Sequence, residues 1–330
     1  MDSPFPKSSS SPGEGRIVVD LLPNRLSTLE HMSYQYPLKL ISPSPKVDLE
    51  SVLVFLLSYG GGLVGGDQVN LSIEVRSGAK LSIVTQGHTK IFQSVRPDVV
   101  TRQRLNVDLK KDAALCLLPD PVQPFENSVY EQIQIFSVTP GASLCLLDWV
   151  THGRSARGED WSLTRWVGRN EIWAPDTVLS AKPRLLVRDA IILDATGRSA
   201  QLQTLRQSMY KHAVVGTLIL RGPMMKRIGE FFLSEFAALP RLGARDFRSA
   251  ETREKEAATP LQPIDIWRAA RLKREKEFNV LWSAASVRGC VIVKFGAATV
   301  EAGRNWIGSM LLQEGTIERK FGEQALMCVR

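Results

Sequence analysis

Only four cysteines and four histidines occur among 330 residues. Cys116, Cys145, Cys290 and Cys328 are widely scattered, with no Cys-x-x-Cys pair and no Cys/His cluster at zinc-finger spacing. That excludes a disulfide framework and a structural zinc finger, and points to reduced thiols packed in a cytosolic protein. No apolar run approaches the roughly 20 residues a membrane helix needs. The longest, Val52 to Leu57, is of strand length. The first 16 residues are rich in Ser and Pro without an apolar core, unlike a signal peptide, and residues 1–16 are expected to form a flexible tail. His31, His88, His152 and His212 lie far apart, and no Gly-x-Ser-x-Gly nucleophile elbow occurs. With catalytic groupings this sparse, the expectation is a protein that is not an enzyme.

The hydrophobic content is nevertheless 44%, enough for one large core or two smaller ones. The net charge is +8, and its distribution is uneven. Residues 1–200 carry 21 of the 42 Lys+Arg and 21 of the 34 Asp+Glu, so the whole excess lies beyond them. A basic excess raises nucleic-acid binding as one reading. Between Arg241 and Lys276, however, the basic residues alternate with Glu251, Glu254, Glu256 and Glu275, as on a solvated helix face laced with ion pairs.

From Ile17 to about Asp194 the dominant period is two. Val69, Leu71, Ile73 and Val75 alternate with polar residues, and Leu105, Val107 and Leu109 do the same. A recurring unit joins such strands: Val75 to Leu81, Leu109 to Leu115 and Val138 to Leu144. Gly78, Asp112 and Gly141 fall at equivalent places, 34 and 29 residues apart. Hairpin-like copies at near-constant spacing predict stacked β layers. After Ser199 the pattern changes. Met224 to Leu239 and Glu301 to Leu312 read as amphipathic helices, Asp265 to about Trp282 as a basic helix, and Val287 to Phe295 as a strand. The expected fold is mainly β: a stacked-layer or superhelical body over 17–223, then helices and completing strands over 224–330. Two or three α-helices fall in that C-terminal third, with a charged insertion at about 241–263.

The run Gly60-Gly61-Gly62-Leu63-Val64-Gly65-Gly66-Asp67 matches G-x-G-x-x-G through Gly60, Gly62 and Gly65. A dinucleotide-binding enzyme would need a helix immediately afterwards, to present its amides to the pyrophosphate. Gln68 to Val75 instead alternates as a strand, and no Gly-Lys-Ser/Thr closes a P-loop. The run therefore reads as a sharp strand-to-strand reversal, with Asp67 presenting one carboxylate at its exit. His88 lies in the polar Gln86 to Lys90, Pro119, Pro121 and Pro124 fix an extended loop, and Gly153 to Glu159 form a charged turn.

In order, Tyr59 to Asp67, Thr85 to Phe92, Leu118 to Phe125, Gly153 to Glu159 and Asn170 to Trp173 resemble the urease accessory protein family UreD (UreH in some bacteria). The motifs are most similar to those of fungal members. The resemblance runs from about Ile17 to Leu220 and resumes over about Ser283 to Leu312. It implies a β-rich superhelical scaffold that catalyses no reaction itself. The implied partners are apo-urease, UreF and the GTPase UreG, and the implied cargo is nickel, passing in transit through an internal channel with none tightly bound. Such a path needs weak oxygen and occasional imidazole ligands in series. Matched to the family motifs, the candidate metal-path positions are Asp67, Thr89 and Glu171, followed by His88 and Glu159, with Lys90 paired to a carboxylate. The glycines Gly60, Gly61, Gly62, Gly65 and Gly66 and the three prolines are structural. No nucleic acid and no membrane is expected among the partners.

Overall fold

The computed structural model describes residues 11–44, 51–175, 182–196, 203–239 and 262–330. Most of the predicted tail and of the charged insertion lies outside these residues. β1 (Glu14–Leu21) already begins inside the stretch read as tail, because Ile17 and Val19 are drawn into the core. The strands β2 (Ser27–Tyr34), β3 (Leu38–Ile41), β4 (Val52–Ser58) and β5 (Gly62–Leu63) follow.

Three rungs form the centre. The first is β6 (Gln68–Val75), β7 (Lys80–Val84) and β8 (Thr89–Ile91). The second is β9 (Thr101–Leu109), β10 (Ala114–Leu117) and β11 (Val122–Pro124), and the third is β12 (Val129–Val138) and β13 (Ser143–Thr151). β6, β9 and β12 pair in parallel in one sheet, and β7, β10 and β13 in parallel in another. Val75, Leu109 and Val138 lie in register, as do Leu81, Leu115 and Leu144.

The three repeated turn units are thus not hairpins. Each carries the chain from the first sheet to the second, and the three arches stack. Gly78, Asp112 and Gly141 all have positive φ (76°, 58° and 87°), the backbone requirement that placed Gly or Asp there. Parallel stacking follows, because an arch between two sheets returns the chain to the next layer in the same direction.

β14 (Arg165–Ala174) adds to the first sheet in parallel and β15 (Arg184–Asp194) closes it antiparallel, giving the order β15-β14-β12-β9-β6-β1-β2. β16 (Val214–Arg221), β18 (Cys290–Ala297) and β17 (Leu281–Val287) extend the second sheet beyond β13. Trp282 therefore lies in a strand, not in the preceding helix. Its hairpin with β18 lets the ring join Phe236 and Trp306, at 5.3 Å from each.

Five α-helices occur among the described residues: α1 (Leu205–Ser208), α2 (Lys226–Ala237), α3 (Pro263–Glu277), α4 (Val300–Glu314) and α5 (Thr316–Phe321). One core lies between the sheets. A second lies between the outer face of the second sheet (Cys116, Cys145, Leu147, Trp149) and the helices, through Phe232, Trp306, Ile307 and Met310. Two of the basic residues of α3 are engaged internally, Arg268 and Arg271 both bound to buried Glu235 and Arg271 also to Glu275, while Lys273, Arg274 and Lys276 are exposed. No helix is long and apolar enough to cross a membrane among the described residues.

Candidate functional site: a polar row through the core

The second sheet bends at the same level in three successive layers: at Tyr59–Gly61 between β4 and β5, at Thr85–His88 between β7 and β8, and at Leu118–Pro121 between β10 and β11. Because β5, β8 and β11 continue in parallel register, three motifs separated in sequence stack at one corner. Gly60 and Gly61 make the first bend with φ of 71° and 75°. At Gly62 it is space that matters, since a Cβ there would lie 2.6 Å from Phe92 and 2.7 Å from the Lys90 carbonyl. Gly65 and Gly66 then carry the chain across to β6. A strand follows the glycine run, so no helix N-terminus faces it and the dinucleotide reading has no structural support.

This corner forms a surface cleft of about 270 Å³ lined by Tyr59, Gly60, Gly61, Thr85, His88 and Thr89 among others. Thr85, Thr89 and Leu56 also line a small interior cavity of about 30 Å³, which Asp120, Gln103, Gln132, Gln134 and Asp148 complete. Burial, the largest influence, lowers the His88 pKa against the opposing pull of Asp120, so the imidazole is biased toward its neutral, ligating form.

From the cavity a polar row crosses the apolar core. Along β13, Leu144, Leu146 and Val150 face the space between the sheets, and Asp148 takes the inward place between them. Gln132 Nε2 donates to Asp148 at 2.9 Å and Asn170 Nδ2 at 2.7 Å. Gln134 Nε2 in turn donates to Asn170 at 2.9 Å, and the Tyr130 hydroxyl to Gln132 at 3.2 Å. Asp189, register partner of Asn170, is held by Lys294 at 2.6 Å on the far side. An unpaired buried polar group costs several kcal/mol, so the row persists because its members satisfy one another. The Asp148 carboxyl is pushed up to about 6, chiefly by burial and also by the charge of Asp189, against the two amide donors. A chain of carboxylate, amide and hydroxyl oxygens can offer weak successive ligands to a hard or borderline divalent cation.

The predicted positions are distributed around this row. Thr89 and His88 are at its mouth. Asp67 is at the next corner, where its carboxylate accepts from Val64 N at 2.9 Å and closes its own turn. Glu159 is buried and bound by Arg154, whose hydrogen bonds and charge outweigh burial and hold its carboxyl below the usual range. Glu171 faces the outer side of the first sheet, bonded to Trp173, Arg188 (2.9 Å) and Arg169 (3.4 Å). The strand alternation gives the inward place to its neighbour Asn170. Lys90 is exposed and, among the described residues, forms no ion pair with a carboxylate. Asp120 and Asp148 were not anticipated as site residues. The available signal for Asp148 was one carboxylate inside the otherwise apolar Leu144 to Val150.

A profile described as "UreD urease accessory protein" matches residues 11–327. The chain is 33% identical over 296 residues to a Schizosaccharomyces pombe protein named "Uncharacterized urease accessory protein ureD-like", covering 89% of this chain and 91% of that one. It is 35% identical over 222 residues to "Urease accessory protein UreD" of Sorangium cellulosum, covering 67% and 65%. Against "Urease accessory protein 4" of Cryptococcus neoformans it is 35% identical over 214 residues, covering 57% and 64%. By the extent of these matches, the chain belongs to the UreD family of urease accessory proteins.

Proposed function

We propose that this chain is a cytoplasmic, non-catalytic scaffold of urease maturation, which joins UreF and the GTPase UreG on apo-urease and passes nickel toward it. The observation that carries the reading is the small cavity lined by Thr85, Thr89 and Asp148, continued through the core by the hydrogen-bonded Gln132, Asp148 and Asn170. A conduit needs donors in series with none dominating, because one tight cage would trap the ion. Thr89 and His88 serve the mouth in this reading, while Asp67, Glu159 and Glu171 hold the surrounding turns and the outer face of the first sheet. The test is a pull-down with UreF and apo-urease, followed by activation with nickel and GTP. The wild-type chain is expected to co-purify and activate. Thr89→Ala or His88→Ala is expected to lower activation while the complex still forms, and normal activation by both would remove the cleft from the path.

A further inference from the structure

We infer that the open edge of β17 pairs with β17 of a second copy of this chain, antiparallel about Ala284, and joins two molecules through one continuous sheet. The inference is independent of the maturation reading. β17 ends the second sheet, paired with β18 on one side and, among the described residues, with no strand on the other. Such an edge offers backbone N–H and C=O groups to another strand, and soluble proteins blunt it with charge or proline. The other strands that end the two sheet orders follow that rule. β15 carries Arg184, Arg188, Asp189 and Asp194, β2 carries Glu30, and β3 carries Lys39. β17, Leu-Trp-Ser-Ala-Ala-Ser-Val, has neither a charged residue nor a proline.

Strand parity fixes which groups are on offer. Arg288 and Gly289, with φ of 48° and 76°, form a two-residue turn that makes Val287 and Cys290 the first pair of the hairpin. In such a hairpin alternate residues spend their backbone groups on the neighbouring strand, so Leu281, Ser283, Ala285 and Val287 bond β18. Trp282, Ala284 and Ser286 direct theirs to the open edge.

A second copy is the occupant because β17 is complementary to itself. Antiparallel pairing about Ala284 sets Ala284 against Ala284, Trp282 against Ser286, Ser283 against Ala285 and Leu281 against Val287. The residues with outward backbone groups then face one another, as a hydrogen-bonded pair requires. On the other face of the strand, Leu281 and Val287 are 61% and 40% exposed, and the pairing covers each with the other. No like charges meet in this register. A seven-residue edge buries less than the roughly 1,200 Å² of a standard stable interface, so the dimer is weak and depends on concentration.

The experiment is sedimentation velocity of the full-length chain alone over a concentration series. Wild type is expected to pass from monomer to dimer with a dissociation constant on the order of 10 µM. Ala285→Lys charges the exposed face, and Ser286→Pro removes an N–H that β18 does not use. Each is expected to weaken association about tenfold or more while leaving the urea midpoint close to wild type. If Ser286→Pro disturbs the fold, Ala285→Lys carries the test. Mixing Ala285→Lys chains with Ser283→Glu chains is expected to restore dimer, because the two new charges stand opposite each other in this register. A wild type that stays monomeric throughout the series, or a dimer indifferent to Ala285→Lys, overturns the proposal. Dimer loss that the mixed chains do not restore overturns the register about Ala284.

Discussion

Asn170 of the first sheet donates a 2.7 Å hydrogen bond to Asp148 of the second, across an interior filled mainly by apolar side chains. The bond joins two sheets that the stacked arches hold face to face. It also fixes the one inward carboxylate of β13 in a dry environment, and its titration should be visible in the stability of the whole domain.

Burial raises the Asp148 carboxyl from 3.8 to about 6, so the folded state holds this proton more tightly than the unfolded chain. Its contribution is complete below the unfolded value and is lost as pH rises through about 6. Two pH units correspond to about 3 kcal/mol. Urea unfolding at a series of pH values is expected to show a component of wild-type stability falling between pH 3.8 and about 6, absent from Asp148→Asn. Parallel profiles for the two proteins would show that Asp148 does not titrate this way.

The glycine corner separates two physical demands. Gly60→Ala places a side chain at φ 71° in open space and is expected to lose about 1–2 kcal/mol from backbone strain alone. Gly62→Ala keeps an extended backbone but drives a methyl group into Phe92 and the Lys90 carbonyl, an overpacking loss of about 1–3 kcal/mol. Replacing Phe92 by a smaller apolar residue should partly rescue Gly62→Ala and leave Gly60→Ala unchanged, as measured by denaturant midpoint.

The helical layer is held by aromatic packing. Phe232 is fully buried, with its ring centroid 6.4 Å from that of Trp306 and 6.5 Å from that of Trp282. Phe232→Ala is expected to lose about 3–5 kcal/mol. A loss below about 1 kcal/mol would mean that the second core is loosely packed.

All four cysteines are buried, and burial raises the thiols of Cys116, Cys290 and Cys328, the last to about 12. Thiolate is the reactive form. A thiol reagent is therefore expected to modify none of the four in the native chain at neutral pH and all four in denaturant. Rapid native modification of Cys328 would show that the segment covering Thr85 opens readily.

Much of this architecture could be read from particular residues. The spacing of Gly78, Asp112 and Gly141 marked three stacked layers, because a positive-φ turn leaves a compositional trace. The same spacing could not say whether the turn folds back in one sheet or arches to another, since both need the same backbone freedom. The motifs at Gly60, His88 and Pro119–Pro124 were visible separately, and only parallel register showed that they form one corner. At the site, the limit was strand parity. Glu171 and Asn170 are adjacent, and which one faces the core depends on pairing that the local sequence does not encode. The basic pattern from Asp265 extends the expected helix to about Trp282, and the place of Trp282 in β17 depends on tertiary pairing with β18.

The most direct test of the account joins complex formation and activation in one variant. Asp148→Asn keeps the size of the side chain and removes its charge from the middle of the row. It should still co-purify with UreF and apo-urease in wild-type amounts, while nickel- and GTP-dependent urease activation falls by about tenfold or more, the equivalent of one lost charge-assisted ligand. Wild-type activation by Asp148→Asn, with the complex intact, would contradict an interior path through Asp148.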